Sequence, residues 1–407
     1  MRFLHISDLH FGKSIYECQL VKEDQPAWVD GFLSLADSVL PDAVVIAGDV
    51  YDRSAPSDDA VRLLDRLITG LSERKIPVLT VAGNHDSGSK LSFASRLLER
   101  SNVHIAGIVS EKMEHVTFED EHGKVTFWLM PYIFPTAVAG VLGDDTIHDF
   151  TTAVKKLLER QDIDLSERNV IVAHQNVVCN GEEAKRGGSE TMVGGVGGVD
   201  YTVFDGFEYA ALGHIHSSYP VGREAVRYAG SPLCYHFNET RQRKKGPLLV
   251  ELGAKGEDAK IEPKYIEPLH PMREIKGTYS EALEYARSGG RNEYVKVILT
   301  DEKIRPEISE SLRAAFGEKE SVVMEIVSEA GGMSSDVSLV SGADKKSVDE
   351  LFSDFFTERN NGEAPDDKDM AIIRAVARQV EAAASSGNTD ENRDSDAAEI
   401  LKLLMSF

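Results

Sequence analysis

The sequence predicts an α/β fold in which buried strands alternate with helices, and three observations carry that prediction. Short, almost wholly apolar runs recur through the first half of the chain: Phe3-Leu4-His5-Ile6, Ala43-Val44-Val45-Ile46-Ala47, Val78-Leu79-Thr80-Val81, Val170-Ile171-Val172-Ala173 and Tyr209-Ala210-Ala211-Leu212. A strand with one wet face would alternate, so unbroken runs imply strands covered on both faces. Between the early runs lie stretches of helical periodicity, Ala27–Val39, Asp58–Arg74 and Leu91–Glu99. Each run is also followed closely by a polar motif, and α/β sheets place their sites just beyond strand C-termini.

Taken in order, the first run leads into Asp8-Leu9-His10 and the second into Gly48-Asp49-Val50-Tyr51-Asp52. Ser57 then offers an N-cap for the helix beginning at Asp58. The third run leads into Gly83-Asn84-His85-Asp86, the fourth into His174, and the fifth into Gly213-His214-Ile215-His216. Carboxylate, amide and imidazole donors in such number point to a metal site. Hard oxygen mixed with imidazole suits Mn²⁺, Fe²⁺ or Zn²⁺, and the lack of Cys ligands argues against a purely structural zinc. His5 lies within the first strand and reads as structural. His104, His115, His122, His148 and His270 match no motif and read as surface or core, while His236, near the Ser231-Pro232 turn, reads as packed or as approaching phosphate.

After His174 the chain turns to strands and glycine-rich loops. Gly187-Gly188 and Gly194 to Gly198 form no phosphate cradle, because no strand leads in and no helix clearly follows. They read as a surface loop or a substrate-side loop. Residues 1–270 are expected to form the core. From 271 to 330 a compact βαβαβ unit is expected, with strands at Arg273–Thr278, Tyr294–Thr300 and Val322–Val327 and helices at Ser280–Arg287 and Pro306–Phe316. Residues 331–346 read as a Gly/Ser linker. In 347–383, Val348, Leu351, Phe352 and Phe355, then Ile372, Ile373, Val376 and Val380, give two short amphipathic helices. Their apolar faces either dock on the core or meet a partner. Residues 384–407 are acidic and expected to be flexible, ending in a short apolar patch.

With 407 residues the chain is long enough for two or three domains, and 42% hydrophobic with 28% charged residues is ordinary for a soluble globular protein. Three distant cysteines and no leader or membrane-span pattern lead us to expect the cytoplasm. A net charge of −23 argues against nucleic acid if taken as a whole. It is unevenly spread, however: residues 347–407 hold fourteen Asp and Glu against six Lys and Arg. Arg241, Arg243, Lys244 and Lys245 form a local basic run that would hold a phosphate backbone or sit in a solvated hairpin turn.

In this order, D-x-H, G-D-x-x-D, G-N-H-D, a lone His and G-H-x-H resemble the calcineurin-like metallophosphoesterases, whose fold is a β-sandwich flanked by helices. Within them, Gly48 to Arg53, Phe204 to His216 and Tyr228-Ala229-Gly230-Ser231-Pro232-Leu233 resemble the SbcD family of bacterial nuclease subunits. The resemblance implies two divalent ions, most fittingly Mn²⁺. Asp8, His10 and His216 would serve one ion and Asn84, His174 and His214 the other, with Asp49 bridging. It implies that His85 acts on the phosphate, oriented by Asp52. It also implies a small α/β capping domain, dimerisation through the nuclease core near Asp58–Arg74 or Leu91–Glu99, and a helical tail gripping a coiled coil of the SMC-like ATPase SbcC. Phe352, Phe355, Ile372 and Val376 would face that partner. The implied activity is 3′-to-5′ exonuclease on duplex ends and endonuclease on single strands or hairpins. The setting would be DNA repair, recombination and replication at the nucleoid. Two rivals stand beside it: a stand-alone phosphoesterase for small phosphodiesters or phosphoproteins, and a metal-dependent scaffold without activity. The complete donor set argues against the scaffold.

Overall fold

The computed structural model describes residues 1–179, 197–241 and 245–329, with positions 365 and 370. The predicted amphipathic tail helices and most of the glycine-rich segment lie outside the described residues. Residues 1–330 form one compact unit. No helix among the described residues is long and apolar enough to cross a membrane.

Two six-stranded sheets form the core among the described residues. The first runs in the order Lys260–Pro263, Leu248–Glu251, Arg2–Ile6, Ala43–Ala47, Val78–Val81 and Val103–Ala106. Its last four strands are parallel, and Leu248–Glu251 pairs antiparallel with Arg2–Ile6. The second runs Tyr219–Val221, Arg223–Tyr228, Tyr209–Gly213, Arg168–His174, Gly123–Met130 and Glu114–Asp120. Its four middle strands are parallel and both edges antiparallel.

Side-chain parity explains the unbroken apolar runs. Phe3, Val45, Leu79 and Val81 pack between the sheets against Phe127, Leu129, Val170, Val172, Tyr209 and Ala211. The intervening residues Leu4, Val44, Ile46 and Val78 face outward onto helices carrying Trp28, Phe32, Leu63 and Leu67. On the far side, Trp128, Ile171, Ala210 and Leu212 pack on helices with Val154 and Leu157. Every other residue meets a different layer, so no position can be polar without cost. Phe3 meets Phe127 and Tyr209 edge-on at 5.1 and 5.7 Å, locking the sheets together. His5 sits in this dry layer, its Nδ1 3.0 Å from the Tyr209 hydroxyl, and burial pushes its pKa down to about 3.

The helix expected at Ala27 starts at Asp24, because Pro26 is tolerated in a first turn. Asp58–Glu73 begins where Ser57 accepts the Ala60 amide. The single helix expected over Leu91–Glu99 is instead two short helices, Gly88–Leu91 and Ser95–Leu98, broken by Ala94 in the left-handed region. Phe93 and Leu97 are 82% and 64% exposed, so no buried stripe holds a continuous helix together.

Beyond Met272 three parallel strands, Met272–Gly277, Tyr294–Leu299 and Val322–Ser328, alternate with helices Tyr279–Ser288 and Pro306–Gly317. Thr278 and Glu281 form a capping box at the first helix. This small sheet is tied to the N-terminal segment at Asp24, whose carboxylate accepts from the Tyr294 hydroxyl and His270 Nδ1, both at 2.8 Å. Tyr16 adds a hydroxyl bond to Glu325 at 2.8 Å.

Candidate metal centre

Register brings the distant motifs to one place. His174 pairs with Gly213 across the second sheet, and the first sheet ends its strands at Ile6, Ala47 and Val81 on the facing side. The backbone there is bent to aim side chains inward: Asp8, His10, Asp49 and His214 have φ of +53°, +44°, +48° and +105°. Non-glycine residues adopt such conformations at an energetic cost, and they cluster at functional sites. Two glycines make the approach possible. A Cβ on Gly48 would collide with the His174 ring, and one on Gly83 with the Asp49 carboxylate.

Asp49 is central. Its Oδ2 lies 3.3 Å from His174 Nε2 and 3.6 Å from His10 Nε2, while Oδ1 accepts the His85 amide at 2.9 Å. On one side, His10 Nε2 and His216 Nε2 face each other at 3.1 Å, with Asp8 close by. On the other, Asn84 Oδ1 is 3.1 Å from His174 Nε2 and 3.0 Å from His214 Nδ1. The seven proposed ligands thus come together in two groups around Asp49. All but Asn84 and His214 are almost wholly buried.

The electrostatics ask for cations. Burial would raise the Asp49 carboxyl, yet His174, backed by His10 and His85, holds it well below the usual carboxylate range. His174 is pushed up to about 9: burial opposes its charge, but Asp49 and Asp8 outweigh burial. His214 is pushed down to about 4 by burial and by His174. A proton on His174 therefore does what a metal would do, neutralising Asp49. Likewise, imidazole nitrogens 3.1 Å apart need a shared proton or cation between them. Donor type, burial and convergence fit divalent metal ions.

Other residues build the frame. Asp86 accepts from the amides of Gly83, Val50 and Tyr51 at 2.9, 3.1 and 2.9 Å, tying the two central loops together. Burial, then the nearby Asp49, pushes its pKa up to about 7. Gln25 accepts from Gly12 and donates to the His10 carbonyl. Tyr235 lays its ring beside His10 and His216, and its hydroxyl donates to the Leu9 carbonyl at 2.7 Å. Tyr132 stands beside His174 and His214.

Two expectations change. The Asp52 carboxylate does not orient His85: it binds Lys13 Nζ at 2.8 Å and lies 3.4 Å from His10 Nδ1. His85 Nδ1 donates instead to the Asp52 main-chain carbonyl at 2.9 Å, the polar group its ring can reach. Lys245 is not a surface phosphate ligand, because its side chain is 6% exposed. Its Nζ donates to the His216 carbonyl, Ser231 Oγ and Glu239 Oε2 at 2.8, 2.6 and 2.7 Å. Arg241 is exposed at the end of a short 3₁₀ helix, and Arg243 and Lys244 lie outside the described residues. Phe352, Phe355, Ile372 and Val376 lie outside them as well. His236 accepts the Asn238 amide at 3.1 Å.

Residues 1–218 match the calcineurin-like phosphoesterase family, and residues 268–360 match a family described as the type 5 capsule protein repressor C-terminal domain. The chain is 32% identical over 290 residues to the SbcD component of the nuclease SbcCD from Staphylococcus saprophyticus, covering 70% of this chain and 74% of that one. It is 31% identical over 310 residues to the protein of the same name from Staphylococcus epidermidis, covering 74% and 79%. The crystal structure of TT1561 from Thermus thermophilus aligns with 56% of this chain and 89% of its own, with a TM-score of 0.34 and 12% identity.

Proposed function

The chain belongs to the calcineurin-like phosphoesterases and, within them, to the SbcD family of SbcCD nuclease components, and from that premise we propose that it hydrolyses DNA phosphodiester bonds with two divalent ions, Mn²⁺ for preference. The observation that carries the reading is the convergence of Asp8, His10, Asp49, Asn84, His174, His214 and His216 from strand ends of both sheets. Bound there, the ions would supply Lewis acidity at the phosphoryl oxygens. Asp8, His10 and His216 would hold one, Asn84, His174 and His214 the other, with Asp49 shared between them. The His85 ring, fixed through Nδ1 by the Asp52 carbonyl, presents Nε2 to the phosphate, steadying it or giving a proton to the leaving oxygen.

Arg53, 82% exposed beside Asp52, and Lys90, bound to the Ser54 carbonyl, flank that loop and would meet the DNA backbone together with Arg241, Arg243 and Lys244. The activities proposed are 3′-to-5′ exonuclease on duplex ends and endonuclease on single strands and hairpins. The segment 347–383 is proposed to grip the coiled coil of an SbcC-type ATPase, with 271–330 as the cap beside the core. Exposed Phe93, Leu97 and Ile108 are proposed to be covered by a second copy.

The test is cleavage of blunt, hairpin and single-stranded DNA by the full chain in Mn²⁺ or Mg²⁺, with and without the ATPase. Mn²⁺-dependent cutting of DNA is expected, with ATPase binding lost on truncation after Gly342. Hydrolysis of bis-p-nitrophenyl phosphate with no cutting of any DNA would overturn the nuclease reading in favour of a small-substrate phosphoesterase.

A further inference from the structure

The two groups of ligands differ in what stands behind their rings. His10 and His216 turn Nε2 toward each other, so their Nδ1 atoms point outward, that of His216 hydrogen-bonded to a carboxylate and that of His10 close to one without a hydrogen bond. His216 Nδ1 is 3.4 Å from Glu239 Oε1, and His10 Nδ1 is 3.4 Å from Asp52 Oδ1. Each carboxylate is in turn held by a lysine, Glu239 by Lys245 at 2.7 Å and Asp52 by Lys13 at 2.8 Å. Behind His174, among the described residues, the Nδ1 partner is the neutral carbonyl of Ala47, at 2.8 Å. His214 is reversed and presents Nδ1 to Asn84.

A carboxylate behind an imidazole does more than a carbonyl. It selects the Nδ1–H tautomer and, being anionic, makes the opposite nitrogen a stronger donor to a metal. Glu239 is suited to this: it is wholly buried, its second oxygen accepts the Tyr235 amide at 3.1 Å, and Lys245 balances its charge. The same lysine holds the His216 carbonyl, so one cation fixes both the backbone of the ligand and the group behind its ring. A buried pair that served packing alone would gain nothing from contact with a ligand ring, since burying charges costs about as much as pairing them returns.

We propose that Glu239 is a positioning residue which, together with Asp52, makes the Asp8–His10–His216 half-site the tighter of the two. The inference deepens the two-ion reading and rests on it. The test is calorimetric titration of the metal-free full chain with Mn²⁺, comparing wild type with Glu239→Gln and with the double variant Glu239→Gln/Lys245→Met. The double variant is needed because Glu239→Gln alone strands a buried lysine. We expect two separable binding events in wild type. In the double variant the tighter one should weaken roughly 10- to 100-fold, with the weaker one unchanged. A residue that only held the fold together would weaken both. Equal weakening of both events, or no change in either, overturns the inference and leaves the two-ion reading standing. A wild-type chain that takes up fewer than two ions overturns both.

Discussion

The two six-stranded sheets and the small sheet beyond Met272 are built from the same grammar of strand, helix and parallel strand, yet among the described residues only the former gather the site's donors. In the core, Ala43–Ala47, Val78–Val81, Arg168–His174 and Tyr209–Gly213 are buried at every position. The polar donors of the site stand where these strands end, and two stacked sheets bring those ends together. In the small sheet, Met272–Gly277 is never fully buried, and Tyr294–Leu299 alternates along most of its length. Its helices cover one face through Val295, Val297, Leu312 and Phe316, and its other face meets the core through Tyr294, Met272 and Met324 and a few polar contacts. Strands buried along their whole length leave function to their tips, while the half-exposed strands of the small sheet serve as an attachment.

The comparison breaks most severely at Asp49. Asp49→Ala should remove the group both half-sites share, so both ions are lost or weakened together and DNA cleavage falls to background. Retention of two tightly bound ions, read by metal analysis after gel filtration, would refute the sharing. A smaller effect is expected at the seam. Asp24→Ala strands the Tyr294 hydroxyl and His270, at a cost of about 1.5–3 kcal/mol. Amide exchange in Met272–Leu299 should speed up while the central strands of the core keep their protection. Uniform protection in both regions would mean that Asp24 is not the tie.

A third effect separates the two regions by pH. Burial holds His5 near pKa 3 in the folded core against about 6.5 in an unfolded chain. Below about 6.5 the unfolded state binds the extra proton, so His5 makes stability fall as pH drops from there toward 3 and leaves it unaffected above. His5→Gln should flatten that slope in urea unfolding curves recorded in EDTA. An identical slope would place the acid sensitivity elsewhere.

How much of this was legible depends on burial. The strand runs and ligand motifs were legible because ligands directly follow strands that cannot hide a polar residue. Glu114–Asp120, at one edge of its sheet, and Arg223–Tyr228, next to the other edge, were not, because half-exposed strands carry charges that read as loop. Lys245 looked like part of a solvated basic run, and nothing in composition distinguishes a lysine that turns inward to a buried glutamate. Glu239 and Tyr235 lie in a segment without periodicity, and only their contacts reveal them. The family resemblance pointed to Asp52, but it could not say that its carboxylate turns to Lys13 and His10 and its carbonyl to His85.

The central claim is that the buried donors hold the ions while His85 acts on phosphate, and one paired measurement tests it. Metal content and single-turnover cleavage of a duplex end are determined on the same preparation of His85→Ala, beside wild type, in saturating Mn²⁺. Two ions per chain should remain while cleavage drops about 10²- to 10⁴-fold, the range of a lost proton-transferring group. Loss of one ion would make His85 a ligand, and cleavage at the wild-type rate would remove it from the chemistry; either result contradicts the account.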